Sequence, residues 1–169
     1  WEDLRKLIPH MLLEGIMGYP FSCPDMIGGG QFTSFLNDAP IDQELVVRST
    51  QVHALMPMMQ FSVAPWRILD ERHFNAVLDA VNLRDKFKET ILTLAEKASV
   101  IGEPIVRSME YVYPHKGYVD ITDQFMLGNY VLVTPFLSKG EGSRKVVLPK
   151  GKWKSDTGKI YKGGKTITI

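Results

Sequence analysis

The sequence predicts a mixed α/β chain in two parts, with helices alternating with parallel strands in front and an antiparallel sheet behind. Three observations carry this prediction. Over residues 1–62, helix-period apolar patterns alternate with short apolar runs. Residues 70–100 carry an apolar helical face with charges opposite it. From Pro104 onward, strand-like runs are separated by Gly and Pro turns with no helix between them, which marks antiparallel pairing.

The elements follow in order. Trp1, Leu4, Ile8, Met11 and Leu12 fall at helical spacing, and Glu2 and Asp3 suit the dipole of a first turn, so a helix is predicted over 1–14. Gly15 and Gly18 close it. The stretch Gly18-Tyr19-Pro20-Phe21-Ser22-Cys23-Pro24-Asp25-Met26-Ile27-Gly28-Gly29-Gly30 then reads as a buried strand that delivers Asp25 to its C-terminal end, ahead of a glycine loop. An α/β barrel arms its active-site face in this way. A turn in which Asp25 merely caps the backbone fits this stretch equally well. Residues 31–36 read as loop and Asn37-Asp38-Ala39-Pro40 as a turn. Asp42 is placed to cap a helix over 43–53, and the run Ala54-Leu55-Met56-Pro57-Met58-Met59-Gln60-Phe61-Ser62 reads as a second strand, with Gln60 and Ser62 placed as Asp25 is. Pro65-Trp66-Arg67 forms a loop beyond it.

Asp70 is the N-cap of a short helix over 70–81, and a longer helix is predicted over 84–100, stopped by Gly102. Phe87, Ile91, Leu94 and Ala95 line its apolar face; Lys86, Lys88, Glu89, Glu96 and Lys97 read as its wet side rather than as a binding site. Strands are expected over 105–113, 130–134 and 145–148, and in the closing Thr-Ile pairs. The helix–strand part is assigned to residues 1–102 and the sheet part to 103–169. The chain opens inside a helical pattern without Met and closes inside a strand pattern at Ile169. The expectation is a piece of a longer protein whose other segments supply part of the site.

Composition narrows the chemistry. The chain is 44% hydrophobic with a net charge of +1, so there is no general case for nucleic acid. Lys150, Lys152, Lys154, Lys159, Lys162 and Lys165, interleaved with Trp153 and Tyr161, read as edge protection on exposed strands. The lone Cys23 excludes an internal disulfide and reads as a small buried hydrophobe. No run reaches the roughly 20 apolar residues of a membrane span. His10, His53, His73 and His115 are scattered, with no pair at metal-ligand spacing, so neither metal nor cofactor is called for. Gly28-Gly29-Gly30 is neither a dinucleotide fingerprint nor a phosphate loop, and no nucleophile elbow occurs. The compartment stays open.

Taken together, several blocks resemble glycoside hydrolase family 31, the retaining α-glucosidase and α-galactosidase group. Trp1-Glu2-Asp3-Leu4 is similar to the helix after the family's acid/base motif. Gly18-Tyr19-Pro20-Phe21 with Pro24-Asp25-Met26-Ile27-Gly28-Gly29 is similar to its G-x-P-(x)-D-I-x-G strand. Glu44-Leu45, Arg48, Gln51 and Ala54-Leu55-Met56-Pro57 resemble the next helix and strand. Pro104-Ile105-Val106-Arg107, Asp123-Gln124-Phe125-Met126-Leu127-Gly128 and Leu148-Pro149-x-Gly151-x-Trp153 resemble the entry into its C-terminal β-sandwich. The resemblance spans nearly the whole chain and is specific only jointly.

This resemblance implies the last part of a (β/α)8 TIM barrel followed by part of an antiparallel β-sandwich. It also implies that the nucleophile and the acid/base, both aspartates, lie outside this chain, so no catalytic residue is assigned here. Asp25 is instead matched to a residue that binds sugar hydroxyls next to the scissile bond; an ionised Asp accepts from two adjacent hydroxyls. Gln60-Phe61-Ser62 stands where many family α-glucosidases carry Arg-Asn-His, which makes Gln60 and Ser62 the candidate sugar contacts and questions glucose specificity. That departure points to a divergent branch similar to the myogenesis-regulating glycosidase group, in which α-galactoside activity occurs. Trp66 is a candidate stacking face, with loop anchoring the stronger reading. Asp123 is assigned to the domain junction. The expected partners are a carbohydrate and the rest of the parent chain. Two functions follow: the substrate-binding part of an active α-glycosidase, or a non-catalytic carbohydrate-binding or regulatory relative of the same fold.

Overall fold

The structure, a computed structural model, describes residues 1–29 and 40–169. Gly30, the loop over 31–36 and all of the 37–40 turn except Pro40 lie outside the described residues. Mixed helix and strand with antiparallel sheets is what the chain adopts.

Helix α1 (Glu2–Ile16) buries Leu4, Ile8, Met11 and Leu12, the face its spacing predicts. Gly15 is buried as well, because a Cβ there would stand 3.0 Å from the Pro104 Cβ; the bare position lets the helix press onto residues 104–106. Gly18, at φ +93°, turns the chain out of the helix.

Helix α2 (Gln43–His53) begins as expected, with Asp42 Oδ1 accepting from the Leu45 N–H at 3.2 Å. The other oxygen accepts from the Trp1 indole at 3.0 Å and from Lys139 Nζ at 2.9 Å. One carboxylate therefore ties together the starts of both helices and a loop almost a hundred residues away. These donors, Lys139 foremost, hold the Asp42 carboxyl below its ordinary range.

Two expectations are corrected. Residues 71–101 form one helix, α3 (Glu71–Ile101), capped by Asp70 and ended by Gly102 at φ +72°. Nothing between the two expected helices is a breaker, and Leu83, Phe87, Ile91, Leu94 and Ala95 continue one packed stripe, so the helix runs through. The strand expected over 105–113 is short: β1 (Val106–Arg107) stops where Ser108 Oγ accepts the Tyr111 N–H at 3.0 Å and starts a one-turn helix, α4 (Met109–Val112).

The remaining strands are β2 (Phe125–Leu127), β3 (Val131–Val133), β4 (Lys145–Leu148), β5 (Lys152–Lys154), β6 (Ile160–Lys162) and β7 (Lys165–Thr168). All pair antiparallel: β1–β2–β3 form one sheet, and the β5–β6 hairpin lies between the paired β4 and β7 in sequence. One core joins both parts of the chain, running from Ile8 and Leu12 of α1 through Val52 and Met56 to Ile91, Ile105, Phe125 and Val133.

Asp123, assigned to the junction, is exposed; its buried neighbour Gln124 ties the segment before β2 to β4, within the sheet part itself. The Gln124 amide donates to the Val147 carbonyl at 3.1 Å, and its oxygen accepts the Val147 N–H at 2.8 Å, so one side chain pairs with β4 as a strand would. Gln124→Leu leaves both Val147 groups unpaired. We expect a loss of about 2–3 kcal/mol, measured by urea unfolding against the wild type.

Candidate functional site

The two apolar runs meet in parallel, as expected. Ile27 bridges Phe61, with the Ile27 N–H on the Gln60 carbonyl at 2.8 Å and the Ser62 N–H on the Ile27 carbonyl at 3.0 Å. The pairing is a single bridge and not two full strands. Pro20 and Pro24 offer no N–H, and Gly28 at φ +91° and Gly29 at φ +30° bend the chain away after Ile27.

This bridge sets Asp25 two residues before Ile27, with Gln60 and Ser62 on either side of Phe61. Asp25 is exposed, and its Oδ1 accepts the Met26 N–H at 2.8 Å. Gly29 N–H closes the turn on the Met26 carbonyl at 2.9 Å. Among the described residues Oδ2 has no hydrogen-bond partner. One Asp25 oxygen therefore caps the turn.

Gln60 is exposed, its carbonyl committed to the bridge. Ser62 is half-buried and its hydroxyl donates to the Ile27 carbonyl at 3.0 Å, which staples the two segments and leaves its lone pairs to accept. Trp66, 70% exposed, sits beyond the bridge on a 3₁₀ turn, Pro65–Arg67, where a loop is expected.

Two supporting residues escape sequence reading because their partners are backbone carbonyls. His53, fully buried at the end of α2, places Nδ1 2.7 Å from the Ser49 carbonyl and Nε2 2.6 Å from the Asp25 carbonyl. Burial pushes its imidazole below the ordinary range; the two carbonyls and the Asp25 carboxylate oppose that, and the Arg84 charge adds to it. Arg84 reaches from α3 to the carbonyls of Met56 at 2.7 Å, Pro57 at 2.9 Å and Ala54 at 3.1 Å. Burial lowers the guanidinium pKa. Cys23 is a free, half-buried thiol whose pKa burial raises. The described residues contain no group of three or more His, Cys, Asp or Glu placed to hold a metal ion, and no helix long and apolar enough to cross a membrane.

Residues 102–169 match the family model for the glycosyl hydrolase family 31 C-terminal domain. The chain is 39% identical over 163 residues to the myogenesis-regulating glycosidase of Mus musculus, covering 94% of this chain and 23% of that protein. It is 35% identical over 162 residues to an α-glucosidase of Saccharolobus solfataricus, covering 90% of this chain and 23% of the relative. The chain thus spans about a quarter of the length of these relatives. Among solved structures, a Flavobacterium johnsoniae dextranase complexed with glucose matches all of this chain and 21% of its own, at 28% identity and a TM-score of 0.86.

Proposed function

We propose that this chain, which belongs to glycoside hydrolase family 31, is the sugar-binding end of a retaining α-glycosidase acting on terminal α-linked glucose or galactose. In this reading residues 1–102 are the last part of the (β/α)8 barrel and 103–169 the start of the β-sandwich. The observation that supports it is the Ile27–Phe61 bridge, which joins the segment carrying the exposed Asp25 to the segment carrying Gln60 and Ser62.

Retaining hydrolysis needs two carboxyl groups roughly 5 Å apart, one attacking the anomeric carbon and one protonating the leaving oxygen. Segments outside these residues supply both. Asp25 takes neither role: its second carboxylate oxygen accepts from sugar hydroxyls, and such bonds strengthen as charge builds on the ring in the transition state. Gln60 adds an amide that can donate and accept, Ser62 an accepting oxygen, and Trp66 a stacking face.

The test is an assay of the full parent chain with nitrophenyl α-glucoside and nitrophenyl α-galactoside, using the acid/base aspartate mutant as the blank. Turnover of either substrate, lost in the blank, is expected. No turnover combined with monosaccharide binding in isothermal titration would replace this reading with a non-catalytic carbohydrate-binding relative; neither turnover nor binding would overturn both.

A further inference from the structure

We propose that His53 is a positioning residue for Asp25, donating its Nε2–H to the Asp25 carbonyl and so fixing the direction in which the Asp25 carboxylate faces the sugar. The inference rests on the sugar-binding role given to Asp25 above.

The geometry assigns the proton. Both ring nitrogens face carbonyl oxygens within 2.7 Å, and a neutral imidazole has one N–H to give. The Ser49 carbonyl stands at the i−4 position, where the helix ladder already supplies it with the His53 backbone N–H. The Asp25 carbonyl has no other hydrogen-bond partner among the described residues. A proton on Nε2 therefore satisfies the group that lacks a donor. A proton on Nδ1 alone would set a bare nitrogen lone pair 2.6 Å from a bare carbonyl. Protonation of both nitrogens, which the Asp25 carboxylate favours and Arg84 opposes, keeps the same Nε2 bond.

The bond acts at a sensitive place. Asp25 stands between Pro24, which is buried, and a turn built on Gly28 and Gly29 at positive φ. Pro24 and Ile27 are buried on either side, so the backbone is held there while the carboxylate stays in solvent. His53 is the one side chain that reaches across from α2 to grip the Asp25 peptide itself. Its ring is wholly buried, so its orientation is set by packing and by the two carbonyls.

The test uses the full parent chain. Isothermal titration with glucose and galactose compares wild type with Asp25→Ala, His53→Leu and His53→Gln, and the melting temperature of each variant is recorded. Asp25→Ala is expected to abolish measurable binding. His53→Leu, which fills the space without a donor, is expected to weaken binding at least about tenfold, a factor equal to 1.4 kcal/mol. His53→Gln, which keeps one N–H, is expected to stay within about threefold of wild type, a span of about 0.6 kcal/mol. Wild-type affinity in the Leu variant, or equal losses in the Leu and Gln variants, would overturn the positioning role. Unaltered binding in Asp25→Ala would instead overturn the sugar-binding reading, so the two failures are distinguishable. Should the Leu variant fail to fold, the ¹⁵N signals of the wild-type ring decide the matter: Nε2 carries a proton from pH 5 to 8, and a neutral ring protonated only at Nδ1 would overturn the proposal.

Discussion

Asp25→Ala in the full parent chain is expected to lower kcat/KM at least about 100-fold with the fold intact. The carboxylate has one oxygen on the Met26 N–H and the other without a partner among the described residues, on an exposed side chain. Removing it costs one local turn bond in water, so the melting temperature is expected to move by under about 2 °C. The kinetic effect is larger because an ionised acceptor bonding two hydroxyls contributes about 1.5–3 kcal/mol per bond. Because those bonds strengthen toward the transition state, the loss should fall on kcat as well as on KM. Activity within threefold of wild type would remove Asp25 from the site.

The second large effect concerns stability. Arg84→Ala is expected to cost about 3 kcal/mol, read as a lowered urea midpoint. Its guanidinium bonds three carbonyls within one short segment, those of Ala54, Met56 and Pro57, and the alanine leaves all three without that donor. Arg84→Lys should recover only part of the loss, because a point ammonium cannot reproduce a planar fork reaching several acceptors. These carbonyls lie on the segment that leads directly to Gln60. The variant should therefore also weaken sugar affinity, whereas a change on the solvent face of α3, such as Lys97→Ala, should leave both unchanged. A loss under 1 kcal/mol would mean that packing alone holds this segment.

Local chemistry decided what could be read from the residues. Asp42 and Asp70 cap their helices and Gly102 ends α3 because each acts on backbone groups a few residues away. β4 was legible at its observed bounds as a β-branched apolar run, Val146-Val147-Leu148 after Lys145, closed by Pro149. β2 offers no such pattern: Phe125, Met126 and Leu127 are all buried, and a short continuous apolar run gives no period. The division of α3 between Val81 and Arg84 failed because no Gly or Pro interrupts the helix there. The strand over 105–113 failed because Ser108 offers its hydroxyl to the backbone, a local alternative to the sheet that composition does not reveal.

The position of the candidate residues was legible in part for the same reason. Asp25, Gln60 and Ser62 stand at the closing ends of two apolar runs, and the parallel bridge brings those ends together. His53 and Arg84 were invisible because they recognise backbone carbonyls 27 to 30 residues away, which leave no mark in any pattern of side chains. Gln124 belongs to the same class, its partner on β4 being 23 residues distant.

The core shared by α1, α2, α3 and the β1–β2–β3 sheet has a consequence for exchange between homologues. Ile8, Ile105 and Phe125 pack in one interior, and Asp42 and Glu44 of the helical part bond Lys139 and the Gly140 amide of the strand part. A seam cut near Gly102 would thus pass through a filled interior and a set of polar anchors rather than a linker. Chimaeras that graft residues 103–169 from a relative onto this front half must carry compensating changes on α1 and α2. Substitutions on one side of the seam are expected to track those on the other.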